Sequence, residues 1–361
     1  MNIVYDNIIF DLQRSGGISV YWSEIISRIS SDGAFNPIFI EKKQSKSNYS
    51  REKISLPSRS IINENNLLIN RILPIKERLK EEYLFHSSYY RFPIQRKNNA
   101  IVTTIHDFIP ERFGKGIKKV LLTKQKYLSI KNADGIICVS ENTKKDMLAL
   151  YPEFRNKTID VIHNGASTDF SPLVGNTEDE ILRNLPNPFC IFIGKRNKYK
   201  NFDFVVNYLA EEKELHLAIV GGGNLSVYEK ELLDTKLNNR FSYFNHISNT
   251  DLNVLYNQAE FLFYPSDYEG FGIPIIEAQK SGCPFVAQKT SSINELVSDK
   301  NLLLNKLSNE DVNIVRQYIQ NKRSVIIEKG IKDSEKFSWE RSAENHVLFY
   351  NKIFKQKFGN K

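Results

Sequence analysis

The chain has 361 residues, of which 41% are hydrophobic and 25% charged, and its net charge is +8. This composition is ordinary for a globular protein and excludes a disordered chain, a collagen or a coiled coil as a description of the whole, while the length favours two or three domains. No apolar run approaches the roughly 18 residues of a membrane-spanning helix, and Met1 leads into an apolar segment without a basic leader, so we expect neither a membrane span nor a secretory signal.

The first half of the chain alternates between apolar strands and amphipathic helices. Strands are predicted over residues 2–10, 101–105, 135–139 and 158–162. Helices are predicted over residues 18–30 and from the N-cap Ser140 through residue 150. Near-continuous apolar strands separated by helices indicate a parallel sheet that is covered on both faces.

Residues 171–188 interrupt the alternation with three prolines, a glycine and an acidic run, and predict an interdomain linker. Further strands are predicted over residues 189–193, 215–220, 241–243, 261–264 and 285–287, and a long amphipathic helix over 339–354. The predicted fold is α/β, with two doubly wound, Rossmann-like domains at residues 1–170 and 189–338 that face a ligand-binding cleft. The C-terminal segment, residues 339–361, is expected to pack back toward the first domain.

The net positive charge comes entirely from the first half of the chain. Residues 1–170 hold 26 Lys and Arg against 18 Asp and Glu, an excess of eight, whereas the remainder holds 24 of each. Segments 42–53 and 114–131 supply much of this excess. A basic half favours an anionic partner, for which lipid headgroups, nucleic acid and a phosphorylated substrate all stay open beside an ordinary solvated surface.

Three cysteines, Cys138, Cys190 and Cys283, stand singly in apolar segments. Their number is odd and their spacing is not that of metal ligands, which argues against a disulfide framework and a zinc site. We therefore expect buried thiols in a cytoplasmic protein.

Two glycine-containing loops could bind phosphate through backbone amides. Gly16 and Gly17 precede the first helix, although a plain strand-to-helix turn explains them equally well. The run at residues 221–223 does not complete a dinucleotide-binding pattern, because position 226 is serine.

A third loop, residues 267–274, is the most informative. Pro274 suits the first turn of a following helix, so the amides of Phe271 and Gly272 would point above the preceding strand. Glu269 lies in this loop, and Glu277 is predicted to fall on the first turn of the helix. A solvated loop carboxylate and simple complementarity to the helix dipole are the plainer interpretations of these two residues.

The loop after the first predicted strand of the second domain is rich in basic residues. Lys195, Arg196, Lys198 and Lys200 lie within six residues. At a strand end such a cluster suits a pyrophosphate, whereas a charged surface loop is the plainer interpretation.

Histidines are candidates by position alone. His106 and His163 end strands of the first domain, and His86 follows an apolar stretch. No His or Cys spacing predicts zinc, and the chain has no Asp-x-Asp pair. The absence of a Gly-x-Ser-x-Gly elbow weakens a serine hydrolase hypothesis.

Together these segments resemble the retaining family 4 glycosyltransferases of GT-B fold. The resemblance rests on an E-x7-E pattern from Glu269 to Glu277, with matching flanks from Tyr264 to Pro284. It extends over residues 1–300 through Gly16-Gly17, Thr104-Ile105-His106-Asp107, Val139-Ser140-Glu141-Asn142-Thr143, Val161-Ile162-His163-Asn164-Gly165 and Tyr199-Lys200-Asn201-Phe202. The stretch at residues 85–90 and Gly194-x-Arg196 are similar to the bacterial polysaccharide and O-antigen branch, which includes mannosyl- and rhamnosyltransferases.

The resemblance implies how the donor diphosphate would be held. Arg196 and Lys200 would bind it and neutralise the leaving group in place of a metal ion. Lys195 could share this role, since many family members have an arginine at that position. Gly16 and Gly17 would lie against the same diphosphate.

The resemblance also implies roles around the sugar. Glu277 would bind the ribose hydroxyls. Glu269 would hold the donor sugar, and His106 would sit beside the anomeric centre, so that Glu269, His106, Arg196 and Lys200 form the expected catalytic set. The remaining expected contacts are Gly270, Phe271 and Gly272 on the donor side, and His86, Tyr89 and Tyr90 on the acceptor side.

The implied activity is transfer of a sugar, with mannose from GDP-mannose as first expectation, to a glycan or lipid-linked acceptor of bacterial surface polysaccharide. We expect retention of anomeric configuration, no cofactor and no metal, and reversible attachment to the anionic inner face of the membrane. Nucleic acid is disfavoured, because aromatic and basic residues do not alternate. Two alternatives stay open: another GT-B enzyme, such as a sugar-nucleotide epimerase or a phosphorylase, and a non-catalytic nucleotide-sugar-binding module.

Overall fold

The computed structural model describes residues 1–42, 48–56, 61–64, 75, 80–95, 97–174, 181 and 185–359. The chain divides into two compact units. The first joins Met1–Gly165 with the C-terminal helix that begins at Trp339, and the second spans Ala166–Ser338.

The first unit contains a parallel sheet of seven strands. Its strands are β1 (Asn2–Asp6), β2 (Asn36–Lys42), β3 (Ile61–Glu64), β4 (Tyr83–Ser87), β5 (Asn99–Ile105), β6 (Gly135–Cys138) and β7 (Thr158–Val161). They lie in the order β3-β2-β1-β4-β5-β6-β7. β5 and β6 are buried along their whole length, and their largely apolar sequences are typical of parallel strands covered on both faces.

Helices connect these strands. They are α1 (Ile9–Leu12), α2 (Gly17–Ser30), α3 (Tyr49–Glu52), α4 (Ile109–Phe113), α5 (Gly116–Asn132) and α6 (Glu141–Leu150). Ser140 caps α6 as predicted, since its hydroxyl accepts a hydrogen bond from the Thr143 amide at 3.0 Å.

The second unit repeats the same architecture with a parallel sheet of six strands. Its strands are β8 (Phe189–Ile193), β9 (His216–Val220), β10 (Phe241–Phe244), β11 (Phe261–Tyr264), β12 (Phe285–Gln288) and β13 (Leu303–Leu304). Its helices are α7 (Phe202–Glu211), α8 (Val227–Leu237), α9 (Asn249–Gln258), α10 (Ile273–Lys280), α11 (Ile293–Leu296) and α12 (Asn309–Ser334). The strand order is β10-β9-β8-β11-β12-β13.

The last helix, α13 (Trp339–Phe358), returns to the first unit. Glu340 near its start pairs with Arg28 of α2 at 2.7 Å, and Lys357 near its end pairs with Asp134 at 2.8 Å. On the same helix, Trp339 and Ile353 are buried in the core of that unit.

The strand order of each sheet reverses beside the first strand of the unit, between β1 and β4 in one sheet and between β8 and β11 in the other. The six-stranded order is that of the doubly wound dinucleotide-binding fold, and ligands of such sheets bind outside the carboxyl ends of the strands where the order reverses. The predicted pair of doubly wound α/β domains with a long C-terminal helix is therefore confirmed.

Several predicted boundaries differ from the structure. The strand predicted over residues 2–10 ends at Asp6, because α1 follows it, and β2, β3 and β4 were not predicted. The first unit ends before residue 170, since Ala166 pairs with Ser338 and the Phe170 ring lies 5.9 Å from that of Tyr256. Of the predicted linker at 171–188, residues 175–180 and 182–184 lie outside the described residues.

Candidate active site

Lys200 and Glu269 meet where the strand order of the second sheet reverses. Lys200 lies in a 3₁₀ turn after β8, and Glu269 lies in the loop after β11. The Lys200 ammonium donates a hydrogen bond to Glu269 Oε1 in an ion pair whose two side chains are only 12% and 10% exposed. The sequence predicted both residues as site residues, and the structure brings them into direct contact.

Tyr264, the last residue of β11, completes this cluster. Its hydroxyl lies 3.4 Å from Lys200 Nζ, which also sits 5.0 Å above its ring. Burial, and then the nearby Glu269 carboxylate, raises the pKa of Tyr264 well above its usual value. The phenol therefore stays protonated and can act as a hydrogen-bond donor, a role that the motif alone did not indicate.

The loop that carries Glu269 is fixed by two serines. The Glu269 amide donates to the Ser291 hydroxyl at 2.9 Å. The buried Ser292 hydroxyl lies 2.9 Å from the Glu269 carbonyl oxygen and 2.7 Å from that of Phe271. The sequence does not reveal these contacts, because the serines lie more than twenty residues after Glu269 and Phe271 and belong to no recognisable motif.

The conformation of this loop also depends on Gly272 and Phe271. Gly272 has φ +114°, and a Cβ there would lie 2.8 Å from Ile293 Cδ1, so a side chain would be strained and crowded. The Phe271 ring is buried, with its centre 5.7 Å from that of Phe337. The neighbouring Gly270 is buried as well. These three predicted donor contacts are thus held in one rigid loop.

Asn201 joins the loop after β8 to the loop after β11. Its side-chain amide donates to the Pro265 carbonyl at 2.8 Å and to Asp267 Oδ1 at 2.7 Å. The Asp267 amide in turn donates to the Tyr199 carbonyl at 2.8 Å. Asn201 adopts the left-handed conformation, with φ +55°, which asparagine tolerates better than most residues. These hydrogen bonds between the two loops position Lys200 against Glu269.

Glu277 occupies the fifth position of α10, so it lies beyond the first turn, where the sequence had placed it. The predicted Pro274 does lie in the first turn. The Tyr256 hydroxyl donates to Glu277 Oε2 at 3.2 Å. Burial raises the pKa of Glu277 to about 7, so its carboxyl group exchanges a proton near neutral pH and, once ionised, can accept from ligand hydroxyls.

Arg196 occupies an unexpected place, because its guanidinium points into the glycine loop after β9. It donates to the carbonyl oxygens of Gly221 at 2.9 Å, Gly223 at 2.7 Å and Asn224 at 3.1 Å. Its Nε lies 3.0 Å from Glu229 Oε1, and the side chain is only 2% exposed. Arg196, which was predicted to bind phosphate, is therefore hydrogen-bonded to groups of the protein itself.

The crowding around Gly222 shows how closely this loop fits Arg196. Gly222 has φ +80°, and a Cβ there would lie 2.3 Å from the Gly194 carbonyl oxygen and 2.5 Å from Arg196 Nη1. Only glycine fits this position. Lys195, by contrast, is exposed to solvent. Of the two neighbouring cations, Lys195 is thus the more accessible.

His106 follows β5 in the first unit and is 8% exposed. Its ring lies edge-on to Tyr21 at 4.8 Å. Burial, followed by the neighbouring Lys126 ammonium, lowers the pKa of His106 to about 3. The imidazole is therefore neutral at physiological pH and can share a hydrogen bond but cannot supply a positive charge.

His86 does not lie on an accessible surface, which contradicts its expected acceptor-side role. It is fully buried in β4, with Nε2 at 2.9 Å from the Thr104 hydroxyl and Nδ1 at 2.6 Å from the Tyr350 hydroxyl. Tyr90 is also buried, at 6% exposure. Tyr89 is the one residue of the expected acceptor set that is half-exposed.

A directed chain of hydrogen bonds explains the burial of His86. The Ser342 carbonyl accepts from His346 Nδ1 at 2.7 Å, which leaves His346 Nε2 to accept from the Tyr21 hydroxyl at 2.7 Å. Tyr21 must then accept from the Thr104 hydroxyl at 2.9 Å, and Thr104 accepts from His86. One backbone carbonyl thus sets the tautomers of two buried histidines and ties α13 to the sheet.

The remaining glycine candidates lie at the start of α2. Gly16 is the N-cap and Gly17 the first helical residue. A Cβ on Gly17 would meet no atom within 4 Å, so open space adjoins the N-terminal turn of this helix. An anion can approach such a turn because its amides lack intrahelical partners.

The described part of the chain holds neither a metal-binding cluster nor a helix that could span a membrane. No group of three or more His, Cys, Asp or Glu side chains in that part of the chain is arranged to hold a metal ion. None of its helices combines the length and hydropathy that a bilayer-spanning segment needs.

Comparison with known proteins assigns both halves of the chain to families. Residues 15–170 match the model described as Glycosyltransferase Family 4, and residues 176–333 match the model described as Glycosyl transferases group 1. The chain belongs to glycosyltransferase family 4 and is a glycosyltransferase of GT-B fold.

Two bacterial relatives are identical to this chain at about a quarter of the aligned positions. O-antigen chain mannosyltransferase B of Escherichia coli is 24% identical over 75% of this chain and 74% of its own length. O-antigen chain mannosyltransferase RfbU of Salmonella typhimurium is 26% identical over 61% of this chain and 60% of its own length.

Solved structures share the fold at lower identity. Sucrose-phosphate synthase from Thermosynechococcus elongatus is 17% identical, with a TM-score of 0.75 over 99% of this chain and all of the other. Anabaena HepE in complex with UDP-glucose is 16% identical, with a TM-score of 0.72 over 98% of this chain and all of the other. The predicted family and fold are confirmed.

Proposed function

We propose that this chain is a retaining mannosyltransferase that moves mannose from GDP-mannose to a glycan or lipid-linked acceptor during synthesis of a bacterial surface polysaccharide. The Lys200–Glu269 pair carries the proposal, because it sets a cation and a carboxylate side by side at the point where doubly wound sheets generally bind ligands. The choice of mannose is supported by the two O-antigen mannosyltransferase relatives.

Lys200 would stabilise the leaving diphosphate. As the anomeric C–O bond breaks, negative charge builds on the departing phosphate, and a fixed ammonium group lowers the energy of that charge. A phosphate oxygen can accept the hydrogen bond that the Lys200 ammonium now donates to Glu269. Glu269 is then released to accept a hydrogen bond from a hydroxyl of the donor sugar.

Retention would follow from attack on the face that the diphosphate leaves. The acceptor oxygen forms the new bond to the anomeric carbon, the bond to the phosphate oxygen breaks, and the acceptor proton passes to that phosphate oxygen. His106, being neutral, would take part only through a hydrogen bond to a sugar hydroxyl. Glu277 would hold the ribose hydroxyls in its ionised form.

The reaction would need no divalent metal or cofactor, because Lys200 and the exposed Lys195 supply positive charge to the diphosphate. The acceptor would be a glycan or a lipid-linked oligosaccharide, and the enzyme would work in the cytoplasm, held reversibly at the anionic inner face of the membrane. The excess of eight positive charges in residues 1–170 supports such a location.

A panel of nucleotide sugars tests the donor. GDP-mannose should raise the unfolding temperature by mass action more than GDP-glucose, UDP-glucose or UDP-N-acetylglucosamine does. It should also support transfer to an acceptor extract in EDTA, with NMR of the product showing the donor's anomeric configuration. Stabilisation without transfer would favour a binding module, a changed nucleotide sugar without transfer an epimerase, and dependence on inorganic phosphate a phosphorylase. Loss of transfer in EDTA, restored by magnesium or manganese, would contradict metal independence.

A further inference from the structure

Helix α5 of the first unit buries mainly polar side chains and exposes apolar ones. One face packs inward through Gln125, Lys126, Ser129 and Ile130, of which three are polar or charged. Lys126 is satisfied there, because its ammonium donates to Glu111 Oε2 at 2.8 Å and to the Asp107 carbonyl at 2.7 Å.

The outward face of α5 is apolar where it begins. Ile117, Val120 and Leu121 are 79%, 64% and 45% exposed. Their spacing of three and four residues places them side by side on one turn of the helix. A surface helix normally presents polar residues to water, so this α5 ridge, as we call Ile117, Val120 and Leu121, lacks an explanation in the fold of the unit itself.

Lysines surround the α5 ridge without acidic neighbours in the sequence. Lys115, Lys118 and Lys124 are exposed and Lys119 is half-exposed. No Asp or Glu occurs between Arg112 and Ala133, and none of these four lysines forms an ion pair with any residue in the described ranges.

Other exposed apolar side chains have different surroundings. Ile314 and Val325 on α12 of the second unit are 60% and 54% exposed. Their helix carries Glu310, Asp311 and Glu328 as well as basic residues. An exposed apolar group on a helix that carries lysines and no acidic residue therefore distinguishes α5 from α12.

We propose that the α5 ridge docks the enzyme on an anionic lipid bilayer. The three apolar side chains would enter the boundary between headgroups and acyl chains, while the surrounding ammonium groups contact lipid phosphates. Lysine suits this position because its aliphatic stem lies along apolar surface while its charge stays in water. This inference rests on the proposed function in one respect. Docking would bring the enzyme to the membrane that holds the proposed lipid-linked acceptor.

A bilayer fits these features better than an acidic protein partner does. The ridge consists of three flexible aliphatic side chains and itself contains no aromatic or arginine anchor of the kind that dominates protein interfaces. Exposed and half-exposed lysines on both sides match a fluid, delocalised negative surface. Docking through three side chains is weak, so it should be reversible and sensitive to salt.

Sedimentation with lipid vesicles, in the absence of any nucleotide sugar, tests the proposal. The full chain should bind vesicles that contain phosphatidylglycerol, release them at high salt and leave pure phosphatidylcholine vesicles unbound. Ile117→Gln/Val120→Gln/Leu121→Gln should weaken binding about tenfold or more, and Lys118→Gln/Lys119→Gln about tenfold. The matched control Ile314→Gln/Val325→Gln, with similar exposure in the second unit, should bind like the unchanged protein. Unaltered unfolding temperatures would show that each variant is folded.

Four outcomes would overturn the proposal: no vesicle binding, equal binding to neutral vesicles, unchanged binding by the ridge variant, or equal loss in the α12 control. Sedimentation velocity adds a fifth, since a dimer that the ridge substitutions dissociate would make the ridge a contact between two copies. Transfer to a water-soluble acceptor analogue tests the proposed activity separately. The ridge variant should retain it, so failure of docking and failure of the proposed function are distinguishable.

Discussion

The Lys200–Glu269 pair of the second unit and the histidine cluster of the first unit are buried in different charge states, although the first unit also holds a buried Lys126–Glu111 pair. In the second unit, Lys200 and Glu269 are mostly buried but paired as opposite charges. In the first unit, His86, His106 and His346 are buried as neutral rings, since burial lowers the pKa of each. An ion pair can exchange partners with a charged ligand such as a diphosphate. Neutral imidazoles bonded to hydroxyl groups hold a sheet together, and the one at the strand end, His106, suits an uncharged hydroxyl ligand.

Removing the charge at Lys200 should have the largest effect. Lys200→Ala should lower kcat/KM about a thousandfold, as expected when a fixed group that stabilises developing negative charge is lost. It should also destabilise the second unit, because Glu269 is left as a nearly buried charge without its partner. Steady-state kinetics and chemical unfolding measure the two effects.

The double variant Lys200→Ala/Glu269→Gln separates stability from catalysis. It should recover most of the lost free energy of unfolding, since no unpaired charge remains, but should not recover turnover. Turnover within tenfold of the unchanged enzyme in either variant would contradict the role of the cation.

Acid should selectively destabilise the first unit. His346 has its pKa lowered from 6.5 to about 4 by burial, so between these values the unfolded chain binds more protons than the folded one, and the free energy of unfolding falls as pH falls. This histidine alone accounts for about 3 kcal/mol across that window, with full stability above about pH 6.5. Both tryptophans, Trp22 and Trp339, are buried in this unit, so urea unfolding followed by their fluorescence reports on it alone.

His346→Gln supplies the control for this comparison. Its side-chain carbonyl can accept from Tyr21 but does not titrate, so the slope of unfolding free energy against pH should decrease by up to one proton between pH 4 and 6.5. An unchanged slope would mean that His346 is not buried as a neutral ring.

Arg196 provides the next largest effect, on the stability of the glycine loop. Arg196→Lys keeps the charge but cannot donate at once to the carbonyls of Gly221, Gly223 and Asn224. Leaving such acceptors unpaired should cost about 2 kcal/mol, and amides of the loop should exchange hydrogen faster. Lys195→Ala, which alters the adjacent exposed cation, should leave both measurements unchanged.

If Arg196 instead binds the diphosphate directly, as the sequence predicted, a different result follows. Arg196→Lys would then retain much of the affinity for nucleoside diphosphate, while Arg196→Ala would lose it without faster exchange in the loop. Calorimetric titration with the diphosphate distinguishes the two cases.

The smallest expected effect belongs to Glu277. Because burial raises its pKa to about 7, nucleoside diphosphate affinity should increase as pH rises through that value and the carboxylate forms. Glu277→Gln should weaken binding about tenfold, the loss of one hydrogen bond to a charged group, and should remove this part of the pH dependence. Glu269→Gln should leave nucleoside diphosphate affinity nearly unchanged, and equal losses in both variants would contradict the separate roles.

Much of the architecture can be predicted from the sequence, because it follows from local and periodic features. The strands at 189–193 and 261–264, the cap at Ser140 and the helix start at Pro274 agree with the structure. The spacing of Glu269 and Glu277 likewise indicated the family. These features are set by neighbours in the chain, by hydrophobic periodicity and by turn chemistry, all of which are visible in one dimension.

The tertiary structure alone decided the partners of the polar side chains. Arg196 and Lys200 are both cations after β8. Arg196 donates hydrogen bonds to carbonyl oxygens some 25 residues away, whereas Lys200 pairs with a carboxylate 69 residues away. His86 has the sequence context of a site residue, but a carbonyl on α13 commits it to the core. Long-range hydrogen bonds between strand ends fix which charges are available, and no local pattern encodes them.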